Sequence, residues 1–137
     1  MTQGFVTPVL VRWSDIDMYH HVNHATMVTI LEEARVPFLR EPFGAEITTT
    51  GLLIAEVKVN YKGQLGLADS PLQVMIWVNR LRAVDFTLGY EVRSVNDPPD
   101  CKPAVIAETQ LAAVHIKERR LQRLSPGQRE YLQRWMR

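Results

Sequence analysis

Apolar and polar residues alternate with a period of two along several stretches of the chain, which predicts strands. Leu53, Ala55, Val57, Val59 and Tyr61 alternate with Ile54, Glu56, Lys58 and Asn60, a half-buried strand entered through Thr48 to Gly51. Leu72, Val74, Ile76 and Val78 form a second run, and Phe86, Leu88, Tyr90 and Val92 a third. Arg80 to Ala83 is short enough to join these two as a hairpin. The longest apolar candidate, Ala104 to Ile116, carries Val105, Ala107, Thr109, Leu111 and Ala113 on one face. Near the N-terminus Phe5 to Trp13 also has strand character, with Pro8 restricting it to an edge or a strand beginning.

One stretch follows a different period. From His24 onward Met27, Ile30, Leu31, Ala34 and Phe38 recur at steps of three and four, the mark of a single buried helical stripe. Glu32 and Arg35 are expected on the opposite, exposed face as a pair. Asn23 is the expected N-cap, while Pro37, then Pro42 with Gly44, are expected to stop the helix. Ser125-Pro126 opens a short C-terminal amphipathic helix with Leu124, Tyr131 and Trp135 on its apolar side. Gly63, Gly66 and Asp69-Ser70-Pro71 form a turn region. The order is strand, long helix, then four strands at short spacing. That order predicts an α+β fold, one antiparallel sheet against one long helix, over a single domain 1–137. An open sheet edge or face invites a second copy of the chain.

Composition narrows the function classes only a little. A 46% hydrophobic, 23% charged chain of 137 residues is an ordinary globular domain, and its net charge of +1 gives no general reason to expect nucleic acid. No apolar run approaches the ~20 residues a membrane span needs, and the first ten residues lack the features of a signal peptide. The single cysteine, Cys101, sits in a Pro-rich polar loop and reads as an incidental thiol in a reducing, cytoplasmic setting.

Chemistry concentrates between the first strand and the long helix. Asp15, Asp17, His20, His21, Asn23 and His24 fall within ten positions, ending at a helix start. Three readings stand. One carboxylate acts as nucleophile or general base towards a carbonyl, whose developing oxyanion is held by free N–H groups at the positive end of the helix. Alternatively His20 and His24, four apart, hold a metal with Asp15 or Asp17, although Val22-Asn23 looks like the helix entry and would leave His20 outside the helix. Or the acids are turn and capping residues, a role that suits Asp15 in particular.

The run DIDMYHHVNHATMVTILEEAR, Asp15 to Arg35, resembles the hotdog-fold acyl-CoA thioesterases, in particular the 4-hydroxybenzoyl-CoA thioesterase-like branch and its long-chain acyl-CoA relatives. The shared pattern is an acidic D-x-D turn, then H-V-N, then a helix ending in E-x-A-R. The resemblance implies a hotdog fold, an antiparallel sheet wrapped around one central helix. It further implies hydrolysis of acyl-CoA to a carboxylic acid and CoA, with no cofactor beyond the substrate's own coenzyme A and no metal. Asp17 then matches the catalytic acid, and His21 the histidine that looks catalytic in the similar plant acyl-carrier-protein thioesterases, which have asparagine at the position of Tyr19. Asn23, His24, Ala25 and Thr26 match the helix entry whose N–H groups face the oxyanion. Tyr19, Arg80 and Arg82 are candidate substrate contacts, the arginines for the phosphates of coenzyme A. Implied too is a homodimer or dimer of dimers with the acyl chain in a tunnel between the helix and the sheet of the partner, where Met18, Met27 and Met75 are candidate lining residues. An acyl-carrier-protein thioesterase and a non-catalytic acyl-CoA binding module on the same fold are the rival readings.

Overall fold

The computed structural model describes residues 4–46 and 49–137. Met1 to Gln3 of the N-terminal segment, and Thr48 in the lead-in to the second strand, lie outside the described residues. The three clearest alternating runs become neighbouring strands, β3 (Leu72–Leu81), β4 (Asp85–Arg93) and β5 (Val105–His115), all antiparallel. β1 (Phe5–Val9) adds to the free side of β3, and β2 (Thr50–Tyr61) to the far side of β5, giving the order β1-β3-β4-β5-β2. A two-residue strand, β6 (Arg120–Leu121), pairs with β5 at Val114 and His115.

The sheet curls around α1 (His24–Phe43). Met27, Ile30, Leu31, Ala34 and Phe38 are buried on the helix side. They meet the inward residues of the strands, Leu72, Val74, Ile76 and Val78 on β3 and Phe86, Leu88, Tyr90 and Val92 on β4. Val105, Ala107, Thr109, Leu111 and Ala113 of β5 are buried on the same side. The period-two and period-3.6 faces therefore close on one another as the pattern predicts.

Four expectations are corrected. The helix does not stop at Pro37 but runs to Phe43 with Pro37 and Pro42 inside it. A proline cannot donate to the carbonyl four residues before it, so Pro42 strands the Phe38 carbonyl. The Tyr131 hydroxyl, from α2 (Pro126–Arg134), donates to that carbonyl instead. Pro37 is tolerated on the solvent side, where the exposed Glu33 can leave its carbonyl to water. Tyr131→Phe is accordingly expected to lower unfolding free energy by about 1–2 kcal/mol through an orphaned buried acceptor, measurable by urea titration. An unchanged midpoint would mean that water reaches the Phe38 carbonyl.

The second correction concerns Arg35, which is buried rather than exposed, while its neighbour Glu32 lies open. The third concerns the phase of β2. A bulge at Ala55 shifts the register between Ile54 and Glu56, so Leu52 and Ile54 stand opposite Ala113 and Leu111, and Val57 opposite Thr109. The helix-facing set is thus Leu52, Ile54, Val57, Val59 and Tyr61, and Leu53 points the other way. β2 is also an edge, and Leu53, Ile54, Val57 and Tyr61 are between 41 and 59% exposed. The first strand, for its part, ends at Val9 and gives way to a short 3₁₀ turn, Trp13–Asp15.

Candidate active site

The segment between β1 and α1 is held by a short relay of hydrogen bonds. Val11 N–H donates to Ser70 Oγ at 2.8 Å, which ends the strand against the start of β3. Asp15, buried in the 3₁₀ turn, accepts from the Arg12 N–H at 2.8 Å and from the Arg12 guanidinium at 3.0 Å. Its carbonyl in turn accepts the Asn23 N–H at 2.9 Å, placing Asn23 to cap the helix. Asp15 is therefore the turn acid that its position suggests.

The Arg12 guanidinium holds the Asp15 carboxyl below its ordinary value, outweighing the opposing effect of burial. A depressed carboxylate stabilises the fold above its unfolded pKa, near 4, and loses that contribution as pH falls through the folded value. Asp15→Asn is expected to lower the melting temperature at pH 7. The gap to wild type should close as the pH falls through the lowered folded value; a gap that stays constant with pH would show that the charge of Asp15 contributes nothing.

Between Ile16 and Val22, which form an antiparallel bridge, the chain makes a tight hairpin turn. His20 N–H donates to the Asp17 carbonyl and Asp17 N–H to the His21 carbonyl, both at 3.0 Å. His20 takes φ of 65°, the left-handed position such a turn requires. Gly66 lies under this turn, where a Cβ would sit 3.2 Å from the His20 carbonyl. His20 and His24 consequently belong to different structures, a turn and a helix start, and do not share a helix face as two metal ligands would. Asp17 Oδ1 accepts from the Tyr19 N–H at 3.0 Å and from the His21 N–H at 3.5 Å. Its second oxygen has no partner among the described residues, and the carboxylate borders a cleft of about 360 Å³.

At the helix start, Asn23 Oδ1 accepts from the N–H groups of Ala25 and Thr26, at 2.9 and 3.3 Å. Met27 N–H is bonded to the Asn23 carbonyl. Of the expected oxyanion donors, then, Ala25 and Thr26 are already used by the cap. The His24 N–H is the first-turn donor left without an acceptor among the described residues, and His24 borders the same cleft as Asp17. The contact between Asp17 and His21 is through the main chain, and no hydrogen bond joins the imidazole to the carboxylate.

The other wall of the cleft comes from distant chain. Tyr61, at the end of β2, donates its hydroxyl to the His24 carbonyl and so fixes the first turn of α1 to the sheet. Gly63, Gln64 and Leu65 follow it around the rim, anchored by Lys62 and Gly63 N–H groups on the Ala104 carbonyl and by Val22 N–H on the Leu65 carbonyl. Val105 and Met27 close the apolar end. Tyr19 and His21 also border the cleft. Met18 points to solvent, and Met75 lies on the side of β3 away from the helix, so of the three methionines only Met27 reaches the cleft. Arg80 and Arg82 are not brought to Asp17. Arg82 is paired with Asp85 at 2.9 Å, and both arginines lie at the end of the sheet opposite Tyr61 and Val105.

The profile of the thioesterase-like superfamily matches residues 11–134, almost the whole chain. The chain belongs to this superfamily. No curated protein sequence matches it. Solved structures with the superfamily's hotdog architecture superpose along more than nine-tenths of their length. The PA2801 protein of Pseudomonas aeruginosa is 25% identical with a TM-score of 0.79, covering 91% of this chain and 95% of that one. A thioesterase-superfamily protein from Jannaschia sp. CCS1 has a TM-score of 0.85 at 15% identity, with 98% and 94% covered. Slr0204 from Synechocystis, a 1,4-dihydroxy-2-naphthoyl-CoA thioesterase, has a TM-score of 0.78 at 15% identity, with 95% and 96% covered. The hotdog architecture of the superfamily is therefore the frame that sets Asp17 beside the start of its one long helix. Membership supports thioester hydrolysis as the class of reaction.

Proposed function

We propose that this superfamily member hydrolyses acyl-CoA thioesters to a carboxylic acid and CoA, with Asp17 as the catalytic carboxylate. The observation that carries the reading is the pairing, on one cleft, of an Asp17 oxygen and a His24 N–H that have no partner among the described residues. A thioester carbonyl between them meets both things its hydrolysis needs. Attack on the carbonyl carbon, by Asp17 or by a water that Asp17 deprotonates, puts negative charge on the carbonyl oxygen. The His24 N–H and the positive end of α1 are the groups at the cleft that can receive it. Collapse of that tetrahedral species expels the CoA thiolate. Where Asp17 itself has attacked, water then cleaves the acyl–aspartyl anhydride and regenerates the carboxylate.

The rest of the site follows from this arrangement. His21 holds Asp17 through its main-chain N–H, and its ring on the rim is a substrate contact. The acting form is a homodimer joined through the β2 edge, supported by that edge's length and its exposed apolar residues. Arg80 and Arg82, remote from Asp17 within one protomer, meet the phosphates of CoA only if the partner's cleft lies beside them.

Thiol release from a panel of aliphatic and aromatic acyl-CoAs, run beside acyl-carrier-protein thioesters, tests the reading. Turnover of at least one acyl-CoA is expected. Turnover of carrier-bound acyl groups alone moves the assignment to a carrier-protein thioesterase. Tight binding of acyl-CoA with no release by any substrate makes it a binding module.

A further inference from the structure

The seam between α1 and β2 holds more than the Asp17 cleft. As α1 passes from Met27 towards Phe43, β2 runs back from Tyr61 towards Thr50, and three hollows follow one another between them. The first contains Asp17, Met27 and Tyr61. The second, about 220 Å³, lies between Val28, Leu31 and Val57. The third, about 390 Å³, lies between Leu39, Phe43 and Leu52. Arg35 borders both the second and the third.

Arg35 is a cation in an unsuitable place. Its side chain is only 10% exposed, yet it makes one long hydrogen bond, from Nη1 to the Tyr90 hydroxyl at 3.4 Å. Glu32 is 3.7 Å from Nη2, beyond hydrogen-bond reach, and its own carboxylate is 66% exposed. A guanidinium has five donors, and burying it without acceptors is costly. Among the described residues its acceptors are the distant Tyr90 hydroxyl and, at ion-pair range, the exposed Glu32 that borders the same two hollows. Most of its donors are therefore unmet, and the hollows give a further acceptor room to arrive.

We propose that Arg35 is a specificity-determining residue that binds an oxygen acceptor, foremost a carboxylate, at the far end of the acyl group. This rests on the thioester reading of the Asp17 cleft. Eight helical steps separate Met27 from Arg35, a distance of about 12 Å. An acyl group laid along the seam passes Met27, Val28, Leu31 and Val57, all apolar, and then meets the guanidinium. A methyl terminus there desolvates Arg35 further and returns nothing. A carboxylate forms the forked, charge-assisted pair that guanidinium geometry favours. Acyl groups ending in a carboxylate are therefore preferred over methyl-ended groups of equal length.

The test uses matched pairs of thioether analogues of acyl-CoA, methyl-ended and carboxyl-ended, over a range of chain lengths. Their Kd values are measured by calorimetry, and thiol release is followed from the corresponding thioesters. At the best length the carboxyl-ended analogue is expected to bind about tenfold tighter or more. Arg35→Lys should narrow that preference and Arg35→Met abolish it. Equal binding of the pair at every length by the wild type overturns the proposal, a result that needs no variant to fold. So does a preference that survives in Arg35→Met. If that variant weakens the dimer and leaves the preference intact, Arg35 serves subunit packing instead. Carboxyl-selective binding without any thiol release would leave Arg35 its role and remove the hydrolase reading, so the two failures are distinct.

Discussion

Asp17→Asn is expected to lower kcat for acyl-CoA hydrolysis by about 100-fold or more with the fold unchanged. The geometry makes the substitution selective. Asp17 Oδ1 accepts the Tyr19 and His21 N–H groups, and an asparagine oxygen can do the same. The amide nitrogen then occupies the place of the partnerless oxygen, where it can neither attack a carbonyl nor take a proton from water. Loss of rate with an unchanged melting temperature therefore reports on that oxygen alone. Single turnover in ¹⁸O-water detects one of its two possible roles. Label entering the Asp17 carboxylate marks a nucleophile whose anhydride is opened at the aspartyl carbonyl. Label only in the released acid is the outcome of a general base and equally of anhydride opening at the acyl carbonyl. Activity equal to wild type would leave the fold and family untouched and remove Asp17 from the chemistry.

The site was half legible in the sequence for a physical reason. Asp15, Asp17, Asn23 and His24 are close in sequence, and the turn and cap that arrange them are local structures with local signals. Tyr61, Gln64 and Val105 reach the cleft through strand register and a loop, and no local pattern announces that. The same division runs through the fold. β3, β4 and β5 read directly because their inward residues are apolar but for Thr109. β2 misread because Leu52, Leu53 and Ile54 are all apolar, so alternation cannot locate the bulge at Ala55 that decides which of them faces the helix. Pro42 looked like a stop because the residue that relieves it, Tyr131, is 93 positions from the Phe38 carbonyl it rescues. Arg35 looked exposed because a charged residue beside a glutamate ordinarily is. Its burial follows from standing one step from Ala34 on the buried stripe, which the three- and four-residue spacing also contained.

His24→Pro should cost about 100- to 1,000-fold in kcat while the helix persists, the loss typical of an oxyanion donor. His24 is the first residue of α1 after the Asn23 cap, the position where proline is best accepted, since its missing N–H has no helical partner there. Asn23 has ψ of 139°, already in the extended range that a following proline demands. The bonds from Asn23 Oδ1 to Ala25 and Thr26 do not involve the deleted group, and the Tyr61 hydroxyl still finds the residue-24 carbonyl. The substitution also removes an imidazole, so His24→Ala is the necessary companion: it keeps the N–H and loses the ring. If the oxyanion is held by the main chain, His24→Ala retains most of the activity and His24→Pro loses it, with KM nearly unchanged in both. Equal loss in the two would assign the effect to the imidazole. Full activity in His24→Pro would mean that the carbonyl oxygen lies elsewhere in the cleft and that the start of α1 contributes its dipole without a donated hydrogen bond.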